Sequence, residues 1–320
     1  MLLALTVACS VTPAACAATV AADKYPTKPI RLITPFVPGA GTDITARAVA
    51  AKLTERWGQQ VIVDNRPGAA GTIGVELTAT AVPDGYTLCL ISASHAVNAA
   101  TNPKLPYDLT KDLQAISQAT SLFYVMYVNP SVPAKSTQEL ITYAKANPGK
   151  LSFGSSGTGG LQHLAGEMFN YLAGVKMVHV PYKGGAAAIA DALAGNIQVG
   201  FGTLLSSRAH YKAGRLRPLG ITAAKRSSTA PELPTIAESL PGYEVDQWYG
   251  MVTSAKVPRP IVDKLAVGIA EGVKSPETAQ RLSAEGSLPV GSTPDQFSAH
   301  IRSEITKWRK LVRDAKLELH

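Results

Sequence analysis

The chain has 320 residues, 46% hydrophobic and 17% charged, the composition of a folded protein with a sizeable core and, at about 100–200 residues per domain, roughly two domains. Its formal charge is +8, from 31 Lys and Arg against 23 Asp and Glu, but the basic residues are scattered. The densest group, Lys307, Arg309, Lys310, Arg313 and Lys316, falls on an amphipathic helical pattern and reads as a solvated face; with aromatics at 6% and no interleaved stacking pattern, nucleic acid is not an expected partner.

Residues 1–22 are rich in Leu, Ala, Val and Thr and carry no charge, and Ala15-Cys16-Ala17 forms a small-x-small cleavage pattern. The segment is read as a signal peptide, although a basic n-region is missing. Pro13 and the small residues after it disfavour a membrane anchor, and lipid attachment at Cys16 is the less favoured alternative, because Pro13 stands where a larger aliphatic residue is expected. Removal of that segment leaves Cys89, in an apolar run over 86–91, as a buried small hydrophobe with no disulfide framework, zinc site or redox pair. The six histidines form neither H-x-x-x-H nor H-E-x-x-H spacing, so neither a metal nor a cofactor is expected.

A strand over 30–37 leads through Phe36-Val37-Pro38-Gly39-Ala40-Gly41-Thr42-Asp43 into a helix over 42–57, where Ile44, Ala48, Leu53 and Trp57 recur near helical spacing. Glycines in such a turn let the backbone approach a ligand, and the unpaired amides of the first helical turn hold an anion without any charged side chain. A short strand over 60–64, the turn Asn65-Arg66-Pro67-Gly68-Ala69-Ala70-Gly71, a helix to about Ala81 and a strand over 86–92 follow. Residues 102–108 are irregular, and 122–128 form an apolar run suited to a buried or crossing strand.

The same grammar then restarts. Ser136 and Glu139 form a capping box, and a strand over 150–154 enters a second glycine loop, Phe153-Gly154-Ser155-Ser156-Gly157-Thr158-Gly159-Gly160, before a helix over 159–173. A strand over 177–180, the loop Pro181-Tyr182-Lys183-Gly184-Gly185, a helix over 186–194, a strand over 197–201, a helix over 204–212 and a strand over 216–221 come next. After a loop-rich return, 248–253 is a strand, and three helices begin near Pro258, Pro276 and Pro294. The alternation predicts an α/β protein of two similar lobes, with crossings near 122–128 and 240–250 and the last helices packed back on the first lobe. The two glycine loops are expected to face each other across a cleft.

Enzyme and nucleotide motifs fail here. Neither glycine loop carries the third glycine of a dinucleotide fingerprint or the Gly-Lys-Ser/Thr of a P-loop, and Thr158 replaces the last glycine of a nucleophile elbow around Ser156. His163 and His95 read equally as ligand contacts or as locally bonded histidines, whereas His179 reads as structural. Asp43 reads as an acceptor for its own turn before it reads as a ligand contact, and Lys183 as either a carboxylate partner or a solvated loop lysine.

Tyr25-Pro26-Thr27-Lys28-Pro29-Ile30-Arg31 running into Pro35-Phe36-Val37-Pro38-Gly39 resembles the mature start of the Bug receptors, the extracytoplasmic solute-binding proteins of the tripartite tricarboxylate transporter type. Asn65-Arg66-Pro67-Gly68-Ala69, Pro83-Asp84-Gly85-Tyr86-Thr87-Leu88, Val180-Pro181-Tyr182-Lys183-Gly184, Pro234-Thr235-Ile236-Ala237-Glu238 and Trp248-Tyr249-Gly250 stand in the expected order, and the match covers about residues 25–315. Single motifs are weak; the ordered set is specific.

The resemblance implies a type II periplasmic-binding-protein fold, two α/β lobes joined by crossing strands with a ligand cleft between them. The lobes are expected at 23–123 plus 246–320 and at 124–245. It implies a small organic carboxylate as ligand, held by loop amides, hydroxyls and waters. The matching positions are Gly39, Ala40, Gly41, Thr42 and Asp43 from the first lobe, and Ser155, Ser156, Gly157, Thr158, Gly159, His163, Tyr182, Lys183 and Gly184 from the second. Ser92, at a strand's carboxyl end, and Thr203 complete the candidate ligand-binding set. Many relatives carry Asp-Asn where this chain has Gly202-Thr203, which favours a plain carboxylate over an amino acid. The expected role is a monomeric periplasmic receptor that closes on its ligand and delivers it to a membrane permease of the tripartite tricarboxylate type. The alternatives are a receptor serving a sensor kinase and a periplasmic serine hydrolase using Ser156 and His163.

Overall fold

The computed structural model describes residues 23–39, 41–284 and 286–317. The signal-peptide reading, its Cys16 alternative and the candidate contact Ala40 lie outside the described residues.

Strand β1 (Ile30–Thr34) pairs in parallel with β2 (Val61–Asn65) and with β3 (Thr87–Ser92). β3 meets β9 (Asp246–Ser254) antiparallel, and β9 in turn meets β4 (Leu113–Val128). The 16 residues of β4 then change partners. Phe123 pairs with Asp246, whereas Tyr124 pairs with Thr203 of β7 (Val199–Thr203) and Val125 with Ile221 of β8 (Arg217–Ile221). Parallel pairing carries the sheet from β7 through β5 (Ser152–Ser155) to β6 (Val178–Pro181), and β10 (Leu288–Pro289) pairs antiparallel with β4.

The sequence pattern shows only the second half of β4. Its first half interleaves Gln114, Ser117, Gln118, Thr120 and Ser121 with apolar residues, so no clean alternation survives. Two of those polar groups have tertiary partners: the Ser117 hydroxyl donates to Ser292 O at 2.8 Å, and the Ser121 hydroxyl to Asp246 at 2.7 Å, whereas the buried Thr120 hydroxyl has none among the described residues.

In the first half of the sheet, α1 (Gly41–Trp57), α2 (Thr72–Ala79) and α3 (Ala93–Thr101) flank the strands. The second half carries α4 (Thr137–Ala146), α5 (Leu161–Ala173), α6 (Gly185–Ala194) and α7 (Leu204–Lys212). The last helices, α8 (Arg259–Lys274), α9 (Pro276–Ala284) and α10 (Pro294–Asp314), return to the first half, where α8 packs on α1 and α10 on α3 and β4. Helix starts follow the caps that the sequence offers. Ser136 accepts from Glu139 N at 3.1 Å, but the Glu139 carboxylate takes the Lys135 amide at 2.8 Å and does not close the predicted box; Thr293 and Gln296 do cap each other's backbone amides.

Helix α3 has no counterpart among the predicted elements. Its capping box uses Ser92 and His95, with His95 Nδ1 3.0 Å from Ser92 N, so the usual Glu/Gln signal three residues on is absent. Buried Trp248 of β9 meets α10 through Phe297, edge to face at 5.4 Å, and through His300 at 5.3 Å. Among the described residues no helix is long and apolar enough to cross a membrane.

Candidate functional site

Loop 156–160 leaves β5 and feeds α5. Gly157 and Gly159 adopt φ values of 139° and 74°, which a side chain would strain. The turn is closed by its own neighbours. Ser156 N–H donates to Gln162 Oε1 at 2.9 Å, Gly157 N–H to Ser155 Oγ at 3.1 Å, Gly159 N–H to His163 Nδ1 at 3.1 Å and Gly160 N–H to Gly157 O at 3.3 Å. Four amides expected to face a ligand are therefore engaged within the loop. The Thr158 N–H and the Ser156 and Thr158 hydroxyls have no partner among the described residues.

Behind the loop, His163 and His179 stack at 3.7 Å between ring centres, with Phe153 5.1 Å from His179. His179 Nε2 lies 2.6 Å from the buried Ser155 Oγ. Burial, reinforced by His163 and opposed by Glu167, pushes the His179 pKa down to about 4. His163 Nδ1 is occupied by the Gly159 amide and faces Glu167 through Nε2 at 3.7 Å, so it is not placed as a base for Ser156. No cluster of His, Cys, Asp and Glu suited to a metal occurs among the described residues.

The first glycine loop is built differently. Asp43 is 3% exposed, and its carboxylate accepts from Gly39 N at 3.0 Å, Arg47 Nε at 2.9 Å and Asn65 Nδ2 at 3.0 Å. The same Asn65 amide lies 2.6 Å from Thr34 Oγ1 and 3.1 Å from Phe36 O, which ties the turn to the ends of β1 and β2. Burial opposes the Asp43 charge, but the bonds from Arg47, Gly39 and Asn65 outweigh it and hold the pKa below its usual value of 3.8. Asp43 is thus a structural acceptor, already saturated. Gly41 is required by close approach, because a Cβ there would lie 2.5 Å from the Tyr249 hydroxyl. Thr42 is buried, with no partner for its hydroxyl among the described residues.

Asp43→Ala is expected to cost about 2 kcal/mol, because it strands the Gly39 amide and the Asn65 side chain. Since the folded pKa is depressed, this contribution is present above the unfolded value and fades as pH falls through the folded one. Urea unfolding at neutral pH and near pH 3 should show the gap between variant and parent shrinking; an unchanged gap contradicts the assignment.

The two halves share a hollow of about 710 Å³. Its second-half wall is Ser156, Thr158, Gly159 and Gly160. Its first-half wall is Phe36, Ala69, Ala70, Thr72 and the α3 side of Ser94, Asn98 and Lys104. A hollow of about 580 Å³ against α1 and β2 is bounded by the first half alone.

Gly39, Gly41, Thr42 and Asp43 do not line the shared hollow; Asp43 is joined to Phe36 O, at its wall, through Asn65. Ser92 stands behind it, its hydroxyl 2.7 Å from that of Ser94. Tyr182 donates to Asp191 at 2.7 Å, Gly184 caps α6 and Thr203 caps α7 through Ser206 N; none of these, nor Lys183, borders the hollow. Residues that sequence reasoning missed are Ala69 and Ala70, Ser94, Asn98 and Lys104. Ala69 and Ala70 adopt φ values of 46° and 54°, in a glycine-bounded turn that the sequence marks as clearly as the other two.

A sequence profile described as "Tripartite tricarboxylate transporter family receptor" matches residues 45–317. The chain is 36% identical over 306 residues to Protein BugT of Bordetella pertussis, covering 95% of this chain and 94% of that one. Its fold is similar to the R. palustris structure described as Rpa4515 with adipate, at 34% identity and a TM-score of 0.77 over 91% of this chain and 98% of that one. MatC from Rhodopseudomonas palustris with bound malate is similar at 26% identity and a TM-score of 0.74 over 90% of this chain and 100% of that one.

Proposed function

The chain belongs to the tripartite tricarboxylate transporter receptor family, and on that premise we propose that it captures a small organic carboxylate between its two halves and delivers it to a membrane permease of that type. Like its family it is a solute-binding receptor of the periplasmic type II fold and not an enzyme. The observation that carries the ligand reading is the shared hollow, whose second-half wall lies at the start of α5, where the Thr158 N–H and the Ser156 and Thr158 hydroxyls have no partner among the described residues. Adipate and malate, bound by two similar proteins, are both small dicarboxylates and supply the first probes.

Closure has a natural pivot in this reading. Residues 23–123 with 246–320 form one lobe and 124–245 the other, joined where β4 exchanges Asp246 for Thr203 between Phe123 and Tyr124. A ligand bridging the hollow stabilises the closed arrangement by touching both walls. The receptor acts in the periplasm, as a monomer.

Calorimetric titration of the purified protein with adipate, malate and the pair glutarate and glutamate tests this. Three or four charge-assisted bonds, less ordering costs, predict micromolar affinity, on the order of −8 kcal/mol, with a rise in melting temperature on binding. Glutarate is expected to bind at least as well as glutamate, since no Asp or Glu among the described residues borders the hollow to meet an amine. Preference for glutamate overturns that part; a folded protein that binds none of the four overturns the small-dicarboxylate reading.

A further inference from the structure

Lys104 is the one charged side chain among the described residues that border the shared hollow. It lies in the link between α3 and β4, where Pro103 and Pro106 restrict the backbone and Asn102 Oδ1 accepts the Lys104 N–H at 3.0 Å. The backbone is therefore held while the side chain stays exposed. Some basic residues of this half are tied to acids: Lys28 pairs with Asp84, Arg31 with Asp64 and Lys52 with Glu55. Lys104 has no such partner among the described residues, and the nearest acid along the link, Asp108, is committed to Lys111 and Thr110.

The opposite composition holds on the second-half wall, where Ser156, Thr158, Gly159 and Gly160 supply only neutral groups. A monocarboxylate needs no more than that wall. The exposed Lys104 ammonium, without an acid partner among the described residues, is available to a second negative group on the ligand.

We propose that Lys104 is a specificity-determining residue, meeting the second carboxylate of a ligand whose first carboxylate lies against the 156–160 wall, so that the site selects dianions over monoanions of the same length. This rests on the ligand hollow proposed above. The lysine is wet, so its leverage is moderate, about ten-fold in affinity at low salt, and it weakens as ions screen it.

The test compares succinate, adipate and suberate with their monoamides, which keep length and replace one charge by a neutral group. Wild type, Lys104→Gln and Lys104→Arg are titrated by calorimetry at about 20 and about 200 mM salt. Wild type is expected to prefer the best-fitting diacid over its monoamide about ten-fold at low salt and less at high salt. Lys104→Gln should bring the ratio close to one by weakening the diacid more than the monoamide, and Lys104→Arg should keep the preference. A Gln variant that binds both probes with the wild-type ratio removes the role of Lys104 and leaves the carboxylate receptor standing. A folded wild type that binds neither diacids nor monoamides removes both readings.

Discussion

Gly166→Val is expected to lower the stability of the fold by about 3 kcal/mol and to weaken carboxylate binding with it. A Cβ at position 166 would lie 2.1 Å from Phe153 Cε2 and 2.4 and 2.5 Å from two further ring atoms. Ordinary carbon contacts are about 3.5–4 Å, so either the ring or α5 must move. The ring has nowhere to go: Phe153 is fully buried, with Phe201 edge-on at 6.5 Å and His179 at 5.1 Å. The gain from replacing a helical glycine is on the order of 0.5–1 kcal/mol and does not offset an overpacked core. α5 must therefore lift from β5. Its first turn carries Gln162 and His163, whose side chains hold the Ser156 and Gly159 amides, so the loop on the second-half wall moves with it. Urea unfolding read beside calorimetry should show both losses in one variant. A Gly166→Val protein as stable as its parent would show that this close approach is not what seats the helix.

That coupling explains why some of the site could be read in the sequence and some could not. The 156–160 turn is marked by its glycines, and the structure puts it on the shared hollow. What its amides do depends on Gln162 and His163 reaching back, a side-chain geometry that spacing does not reveal. The 39–43 turn carries the same local signal, yet its aspartate is saturated by Arg47 and Asn65, the second brought in by β2. Glycine patterns therefore locate tight turns, and long-range partners decide which turn borders the shared hollow. The strand and helix order was legible because most caps and apolar runs are local. The first half of β4 and the whole of α3 were not, since one is a polar-rich strand partly satisfied by tertiary contacts and the other starts on a histidine cap.

The same histidine cap predicts how the protein responds to acid. Stability is expected to fall by about 3 kcal/mol between pH 6.5 and 4 through His95 alone. His95 is fully buried, and burial, against a smaller opposing effect of Ser92, pushes its pKa from 6.5 down to about 4. The geometry agrees with a neutral ring. Nδ1 lies 3.0 Å from Ser92 N and accepts that amide, which leaves the proton on Nε2, buried beside Gly71 with no partner among the described residues. Protonating Nδ1 would give up the Ser92 amide for a longer bond to Ser92 O at 3.3 Å and leave a buried charge without an acid, 5.5 Å between ring centres from Phe36. Because the folded pKa lies below the unfolded one, the folded state binds fewer protons. Its advantage is complete above pH 6.5 and is lost as pH falls to about 4. His179 acts in the same direction, by less, since it is only partly buried. His95→Gln keeps an acceptor near Ser92 and cannot charge, so its urea midpoint should fall less steeply than the parent's between pH 7 and 4.5. Ligand affinity should follow, because Ser94, beside His95 at the start of α3, borders the hollow. Parallel pH curves for parent and variant would locate the acid sensitivity elsewhere.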